Sequence, residues 1–254
     1  MSIIDKKQMT EEDIKLNFIT PAILEKGWQD KITMETKVKF TDGKVNLRGN
    51  LVSREAPKKA DYILYLSKNN PLAVVEAKDN NHGVSFGMQQ AKLYAQMLDV
   101  PFAYSSNGDA FQEYDFITGI EREIGLDDFP SPEELWARYQ NEINNGKGLS
   151  ETERMLIAQP YYTSQNTYPP RYYQQVAVNR TMEAIARGQQ RILLVMATGT
   201  GKTYTAFQIV YRLLQSGIKQ KILYLADRNN LVDQTISGDF KPLEKVIHKA
   251  MSQQ

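Results

Sequence analysis

The feature that most constrains the fold is a glycine-rich segment between an apolar run and a helical pattern. The apolar run RILLV occupies residues 191–195, MATGTGKT occupies residues 196–203, and apolar side chains then recur at helical spacing. A glycine-rich loop between a strand and a helix presents backbone N–H groups to phosphate oxygens. The pattern therefore predicts a phosphate-binding loop within an α/β domain.

Each residue type in this loop suits one part of a bound nucleotide. Gly199 and Gly201 allow the backbone to curl around a β-phosphate, and Lys202 can reach the β- and γ-phosphate oxygens. The Thr203 hydroxyl is suited to bind Mg²⁺. The predicted nucleotide-binding residues of the loop are Thr198, Gly199, Thr200, Gly201, Lys202 and Thr203.

Hydrophobic periodicity predicts a mixed α/β arrangement in the first part of the chain. An amphipathic helix begins near Thr10 and contains Pro21, which should kink or split it. A second helix is expected over residues 86–99, and a third from Ser131 to about residue 145. Strand patterns occur at residues 32–40, 45–51, 62–67, 72–78, 101–108 and 111–116.

The second part of the chain alternates helix and strand patterns. Helices are predicted at residues 172–187, at 202–216 and from 229, and buried strands at 191–197 and 221–226. This alternation predicts a doubly wound parallel sheet. Residues 145–170 sustain neither period. We therefore predict one domain at residues 1–145, a linker at 146–170, and an incomplete parallel α/β domain at 171–254.

Composition excludes several classes of protein and of site. The chain has no cysteine, which excludes disulfides and thiolate zinc sites, and it has two histidines. Any bound metal is therefore expected among oxygen ligands. The apolar runs are too short to span a membrane and the N-terminal residues are highly charged, so we expect a cytoplasmic protein.

Two carboxylates and a lysine mark a candidate site in the first part. Asp61 precedes the strand pattern YILYLS, and Glu76 and Lys78 end the pattern LAVVEAK. Pairing of these strands would bring Asp61 near Glu76, and the period of two places Glu76 and Lys78 on one face. Carboxylates suit Mg²⁺, and a lysine beside the cation can orient water for attack on phosphorus. The pattern indicates phosphodiester hydrolysis.

The spacing D-x14-E-x-K resembles the PD-(D/E)xK nuclease superfamily. Gln90 and Tyr94 match the QxxxY element of its RecB-like branch and share a helix face at i, i+4. The resemblance implies a nuclease fold with a mixed sheet flanked by helices. The catalytic residues that it implies are Asp61, Glu76, Lys78, Gln90 and Tyr94, with Mg²⁺ held at Asp61, Glu76 and Ala77.

Members of this branch often add an acid from the first helix to the metal site. Glu11 shares a helix face with Ile14 and Phe18, which favours Glu11 over Glu12 for that position. Acids in the first turn of a helix are also favoured by the helix dipole alone. Either explanation fits the sequence.

Segments on both sides of the phosphate-binding loop resemble the motor core of superfamily 2 helicases and translocases. PRYYQ precedes the loop and LADRNNLVDQ follows it. The resemblance implies a RecA-like fold in which Tyr173 or Tyr172, together with Gln174, holds the adenine of ATP. The DNA-contacting residues that it implies are Asp227, Arg228 and Gln234.

The order of all these motifs resembles the N-terminal region of the restriction (R, motor) subunit of type I restriction-modification enzymes. The resemblance implies Mg²⁺-dependent endonucleolytic cleavage of double-stranded DNA, coupled to ATP-dependent translocation. It also implies specificity and methyltransferase subunits as partners, and a longer protein of which this chain is an N-terminal fragment. No acidic Walker B segment follows the last motif, so we expect weak binding of ATP with Mg²⁺ and no hydrolysis.

Two alternatives fit the same motifs. A helicase–nuclease of a non-type-I repair or phage system would share both the nuclease and the nucleotide-binding patterns. A catalytically silent DNA-binding or docking module would keep the nuclease-like fold without its chemistry. Metal-dependent nicking of DNA separates the second alternative from an active nuclease.

Overall fold

The chain folds into two compact units. A computed structural model describes residues 5–34, 45–48, 51–54, 59–143, 146–165, 169–227 and 229–250, with the backbone alone at 45–48, 51–54 and 229. The first unit comprises Met1–Leu149 with Arg171–Tyr173, and the second comprises Ser150–Pro170 with Gln174–Gln254. Within the described ranges, no helix is both long and apolar enough to cross a bilayer.

The N-terminal helix of the first unit is divided by a π-helical segment. After a 3-10 turn at Lys6–Gln8, its α-helical parts are α1 (Glu11–Ile14) and α2 (Thr20–Glu25), and Lys15–Ile19 between them is π-helical. Pro21 has no N–H group to donate to the carbonyl four residues earlier, and the Thr20 N–H reaches the Lys15 carbonyl instead. The helix continues without a break from Glu11 to Glu25, so in place of the expected kink or split at Pro21 the hydrogen-bonding pattern changes in the turn before it.

A six-stranded mixed sheet lies at the centre of the first unit. The strands are β1 (Ile32–Met34), β2 (Val45–Arg48), β3 (Leu51–Arg54), β4 (Tyr62–Ser67), β5 (Asn70–Ala77), β6 (Phe102–Ser106), β7 (Ala110–Asp115) and β8 (Glu121–Gly125). Six of them form one sheet in the order β1-β4-β5-β6-β7-β8, and β2 and β3 pair separately. Only β5 and β6 run parallel among the neighbours in the six-stranded sheet. The predicted mixed sheet flanked by helices is confirmed.

Helix α3 (Met88–Leu98) is the crossover between the parallel strands β5 and β6. Parallel neighbours need such a connection because the chain must return to the edge at which the first strand began. Every residue of β5 is buried, as expected for a central strand with both faces covered. Ala91 and Ala95 of α3 pack against Ile63 of β4 and Val74 of β5 in one apolar cluster. This packing fixes the ends of β4 and β5 relative to α3.

An edge strand absent from the sequence-based prediction completes the sheet. All but one residue of β8 are exposed, so the strand has no apolar alternation by which it could be recognised. Arg122 of β8 and Arg138 of helix α4 (Pro132–Glu142) both donate to the buried carboxylate of Glu113 on β7. These ion pairs hold β8 and α4 against the sheet, with the short 3-10 turn Leu126–Asp128 between them.

The second unit is built from helices in the residues that the structure describes. They are α5 (Glu151–Ala158), α6 (Tyr172–Ala186), whose first two residues count with the first unit, α7 (Lys202–Gln215) and α8 (Asn229–Ser237), followed by the 3-10 segment Lys241–Val246. Leu156 of α5, Val178 of α6 and Leu213 of α7 share one core cluster. Helix α5 lies inside the predicted linker and is too short to sustain a recognisable helical period.

The two buried strands predicted for the second unit are not formed. Residues 191–197 and 221–226 make no strand ladder, and Leu193 and Leu223 are 84% and 77% exposed. A buried strand needs hydrogen-bonded neighbours and covered faces. Across residues 146–165, 169–227 and 229–250 no strand is present to supply them. Among the described residues these two segments therefore have no paired neighbour, whereas the flanking helices lie where the sequence predicts them.

Candidate functional site

Strands β4 and β5 bring together the three residues of the predicted nuclease motif. Tyr62 pairs with Val75 in the antiparallel register of the two strands. Asp61, one residue before β4, consequently lies across from Glu76 near the end of β5. Lys78 follows two residues later and points to the same face as Glu76, with 2.9 Å between its Nζ and Glu76 Oε1.

The Asp61 carboxylate is held from two sides. Its Oδ2 accepts a hydrogen bond of 2.8 Å from the Ala77 N–H, and its Oδ1 accepts one of 3.0 Å from the Lys15 ammonium group. The residue is buried. Because a backbone donor and a buried cation both fix it, the Asp61 carboxylate has a defined orientation.

Glu76 carries the most strongly perturbed carboxyl group of the site. The residue is 2% exposed, and its Oε2 atom is buried without a hydrogen-bond partner. Burial, reinforced by the nearby negative charge of Asp61, raises the pKa of Glu76 to about 8. Burial of this unpartnered oxygen is therefore unfavourable in the metal-free chain. The same oxygen is available to bind a cation.

Lys78 lies between carboxylates of two elements. Its Nζ donates to Glu76 Oε1 and, at 2.7 Å, to the Ala77 carbonyl oxygen, and it is 3.9 Å from Oε2 of Glu11. Burial alone would lower the pKa of Lys78, but the hydrogen bond and charge of Glu76, together with the charges of Glu11 and Asp61, leave that pKa raised. The ammonium group therefore keeps its proton.

The first helix contributes two acids and a lysine to this region. Burial raises the pKa of Glu11, whose Oε1 is 3.7 Å from Lys15 Nζ. Glu12 is the more exposed of the two acids, and its Oε1 is 2.7 Å from Lys15 Nζ. Sequence reasoning missed Lys15; the available signal was its spacing of four and three residues from the two acids.

Gln90 and Tyr94 lie on one face of α3, as their spacing predicts. The Gln90 Nε2 group donates to the Tyr94 hydroxyl over 3.1 Å. Burial raises the pKa of Tyr94, and the charges of Glu76, Asp61 and Lys78 also act on it. The structure thus brings the QxxxY pair within electrostatic reach of the carboxylates.

A close approach at Gly87, which the sequence analysis also missed, fixes the neighbourhood of Glu76. A Cβ atom at this position would lie 2.9 Å from Ser105 Oγ, 3.1 Å from Glu76 Cγ and 3.4 Å from Lys78 Cγ. The Gly87 N–H donates to the same Ser105 Oγ at 3.0 Å. Only glycine leaves room for the start of α3 to lie this close to β5 and β6.

Gly87→Ala is therefore expected to displace Glu76 and Lys78 and to lower any cleavage activity by roughly tenfold or more, while overpacking costs about 1–3 kcal/mol of stability. Gly83→Ala is the matched control, because a Cβ at Gly83 in the same loop meets no atom within 4 Å. Nicking rates and urea denaturation midpoints of both variants measure the difference. Equal behaviour of the two variants would contradict the packing argument.

The donor set fits a hard divalent cation, although the acids are not yet arranged around one. In the part of the chain that the structure describes, no three His, Asp or Glu side chains form a ready metal site. Lys15 and Lys78 lie between the acids instead. Asp61, Glu76 and the Ala77 carbonyl supply the oxygen ligands that Mg²⁺ prefers. The buried Oε2 of Glu76 is an open ligand position, so the residues present fit Mg²⁺ once Lys78 releases its two acceptors.

The predicted phosphate-binding loop of the second unit has the backbone that its glycines predict. Gly199 and Gly201 have φ angles of +78° and +81°, which other residues rarely adopt. Lys202 is the first residue of α7, and its Nζ donates to the Ala197 carbonyl over 3.1 Å. Thr200 Oγ1 donates to the same carbonyl over 2.6 Å. The loop thus closes on the Ala197 carbonyl.

The two remaining residues that the sequence assigns to this loop lie on either side of these contacts. Thr198 is exposed, and Thr203 is half-buried in the first turn of α7. Both side chains therefore keep some access to solvent, as contact with a nucleotide requires.

Gln174 contacts the phosphate-binding loop. Its Nε2 donates to the Thr200 carbonyl over 2.8 Å. Tyr173 counts with the first unit, its ring lies edge-on to Tyr172, and its hydroxyl accepts a hydrogen bond from Arg171. Of the residues implied to hold adenine, Gln174 therefore contacts the loop within the second unit.

Two of the three predicted DNA-contacting residues lie at the surface of the second unit. Asp227 is exposed, and Gln234 is an exposed residue of α8. Arg228 lies outside the described residues.

His82, a loop residue that follows Lys78, lies 3.0 Å from Asp79 through its Nδ1 atom and packs on Phe86 with ring centroids 4.0 Å apart.

Comparisons with known proteins agree with this arrangement of two units. Residues 30–130 match the family model described as type I restriction enzyme R protein N terminus (HSDR_N), and residues 167–253 match that described as type III restriction enzyme, res subunit. A solved fragment described as an HsdR subunit of a type I restriction enzyme from Vibrio vulnificus YJ016 aligns with a TM-score of 0.71 at 40% identity, over 82% of this chain and 38% of that one.

Two Escherichia coli proteins are similar in sequence. The type I restriction enzyme EcoAI endonuclease subunit is 47% identical over 98% of this chain and 31% of its own length. The EcoKI endonuclease subunit from strain K12 is 33% identical over 70% of this chain and 18% of its own length. The chain thus spans less than a third of the length of either subunit. It belongs to the type I restriction enzyme R proteins and corresponds to their N-terminal region.

Proposed function

We propose that the first unit is a Mg²⁺-dependent endonuclease that cleaves double-stranded DNA as part of a type I restriction enzyme. The observation that carries this proposal is the convergence of Asp61, Glu76 and Lys78 at adjoining strand ends, with Glu76 Oε2 buried and unpartnered. Acidic oxygens beside a charged lysine suit hydrolysis of a phosphodiester. The similarity to restriction endonuclease subunits supports the same reaction.

The contacts of the site residues suggest a separate role for each of them. Asp61, Glu76 and the Ala77 carbonyl would hold Mg²⁺, which when bound supplies positive charge to the scissile phosphate. Lys78 would then turn its ammonium group from Glu76 and Ala77 toward the attacking water or the charge that develops on phosphate.

Three further residues would support this centre. Glu11, 3.9 Å from Lys78 through its Oε2, would add negative charge on the side of the first helix. Tyr94 would present its hydroxyl toward the same centre, and Gln90 would orient that hydroxyl through the 3.1 Å hydrogen bond. Their contribution is orientation of the substrate or of the attacking water.

We further propose that the second unit begins an ATP-driven motor that moves double-stranded DNA. The left-handed glycines, Lys202 at the start of α7 and the contact of Gln174 with the loop support binding of ATP with Mg²⁺. Thr203 would bind the Mg²⁺ and Arg228 and Gln234 the DNA backbone. Specificity and methyltransferase subunits would complete the assembly that translocates DNA.

A plasmid-nicking assay tests the endonuclease proposal. The purified chain is expected to nick supercoiled DNA with Mg²⁺ or Mn²⁺ and not with EDTA, and Asp61→Asn should reduce nicking by roughly 100-fold or more because it removes a ligand charge. Glu133→Gln is the matched control, because that side chain is 78% exposed on α4. Nicking that survives Asp61→Asn would refute the assignment, and metal binding without nicking would favour a silent docking module.

A further inference from the structure

Lys15 is a buried lysine that the proposed reaction does not use. Its side chain is 7% exposed, and its Nζ lies 2.7 Å from Glu12 Oε1, 3.0 Å from Asp61 Oδ1 and 3.7 Å from Glu11 Oε1. Burying an ammonium group is unfavourable unless carboxylates surround it. Three carboxylates from two elements meet that requirement here, and one of them belongs to the proposed metal site.

Two lysines keep the acids of this region apart. Lys78 lies between Glu76 and Glu11, whereas Lys15 lies between Asp61 and the two glutamates of the first helix. The described residues accordingly contain no group of three His, Asp or Glu side chains that is ready to hold a metal ion. The two lysines differ in one respect. Lys78 bonds to Glu76 Oε1 and leaves Oε2 unpartnered, whereas Lys15 and the Ala77 N–H together engage both oxygens of Asp61.

The π-helical segment places Lys15 in this position. Lys15 is its first residue, and the Thr20 N–H, five residues on, bonds to the Lys15 carbonyl. Ile14 and Ile19, also five residues apart, are both fully buried. The wider turn therefore anchors the helix at both ends of the segment and directs the Lys15 side chain inward.

We propose that the Lys15 ammonium group occupies the position between Asp61 and the first-helix glutamates that a second divalent cation would otherwise take, so that the site accepts one divalent cation. This inference rests on the proposed function. It makes Lys15 a positioning residue, because it acts on Asp61 and on the metal count and does not contact substrate.

The charges and distances support a fixed monovalent cation at this point. Oxygens of Asp61, Glu12 and Glu11 already surround Lys15 Nζ at ammonium distances, whereas Mg²⁺ requires oxygens at about 2.0–2.1 Å. A divalent cation could bind there only after the ammonium group leaves. Lys15→Met keeps most of the side-chain volume, removes the charge and leaves those oxygens to face a vacated position. Lys15→Arg keeps the charge and the donors.

Counting bound Mn²⁺ tests the inference without relying on activity. We expect calorimetry and electron paramagnetic resonance to give one Mn²⁺ per chain at the Asp61 site for the parent and for Lys15→Arg, and two for Lys15→Met. The melting temperature of Lys15→Met without metal should fall and should recover in Mn²⁺. Lys31→Met, at a lysine that is 35% exposed, is the control for loss of a lysine and should bind one.

Each outcome bears on one of the two proposals. Two Mn²⁺ ions in the parent, both lost in Asp61→Asn, would overturn the inference alone. A Lys15→Met chain that binds one ion with parental affinity, or that stays unfolded in excess Mn²⁺, would also overturn it. If no Mn²⁺ binding depends on Glu76, the proposed function fails and the inference fails with it.

Discussion

Lys78→Ala is expected to lower DNA cleavage by on the order of 10³-fold while divalent cation binding persists or tightens. The Lys78 ammonium group now bonds to Glu76 Oε1 and to the Ala77 carbonyl, two atoms proposed to hold Mg²⁺. Its removal frees both acceptors and deletes a positive charge beside the cation, so binding should not weaken. Its removal also deletes the group assigned to the attacking water or the transition-state charge.

Asp61→Ala should fail differently, because it removes a negative ligand and takes from the Lys15 ammonium group its carboxylate partner at the start of β4. We expect both metal binding and cleavage to fall. Calorimetric titration with Mn²⁺ and single-turnover nicking of plasmid separate the two variants, with Lys31→Ala as a control at an exposed ion pair. Normal cleavage by Lys78→Ala would remove the nuclease assignment; loss of metal as severe as in Asp61→Ala would remove the division of roles.

Glu76→Gln is expected to stabilise the metal-free chain at alkaline pH while it abolishes cleavage. The folded chain holds the Glu76 proton up to a pKa of about 8, whereas the unfolded chain releases it near the ordinary carboxyl value of 4.5. Folded-state stability of the parent must therefore fall as pH rises between these two values. Glutamine has no such proton to release. The free energy of unfolding of the variant should therefore rise relative to that of the parent by about 1–3 kcal/mol across this pH interval.

Urea denaturation in EDTA at about pH 5 and about pH 9 measures this gain, which should be small at the lower pH and full at the higher. Added Mg²⁺ should make the parent more stable than the variant. The cation stabilises the parent by binding to it, whereas the variant lacks one of the proposed ligands. Glu133→Gln, at an exposed glutamate, should show no such interval. A pH-independent difference between Glu76→Gln and the parent would show that burial does not perturb this carboxyl group.

There is a physical reason why a residue proposed to bind the metal ion should lower the stability of the metal-free chain. A ligand oxygen must face the cation position and not a protein donor, so in the metal-free chain it remains buried without a partner. Glu76 Oε2, which we propose as a ligand of the cation, is buried without a partner in this way. Its burial is maintained by β5, every residue of which is buried, and by the close approach of Gly87.

Local periodicity was sufficient to predict several parts of this protein from the sequence. The period of two in a strand placed Glu76 and Lys78 on one face, and the i, i+4 spacing placed Gln90 against Tyr94. The glycines of the phosphate-binding loop have the left-handed backbone that the pattern requires. Each of these features depends on residues within a few positions of one another, so the sequence contains the full cause.

Other features depend on neighbours that lie far away along the chain. Lys15 is 46 residues from Asp61, and its burial follows from the packing of the first helix against the start of β4. Gly87 contacts Ser105 of β6 and Glu76 of β5, which only the crossover through α3 brings together. The raised pKa of Glu76 has the same origin. No periodicity of a single segment encodes these distances.

The apolar segments of the second unit also show that local sequence patterns do not suffice to predict strand formation. Residues 191–195 have the composition of a buried strand, yet Leu193 is 84% exposed. A strand forms only when a neighbouring strand accepts and donates its backbone hydrogen bonds, and the described residues of this unit include none. The sequence by itself determined the longer helices, the glycine-rich loop and the motif spacing. Tertiary structure decided which segments pair, which lysine is buried and which carboxylate holds its proton, because each depends on contacts between distant segments.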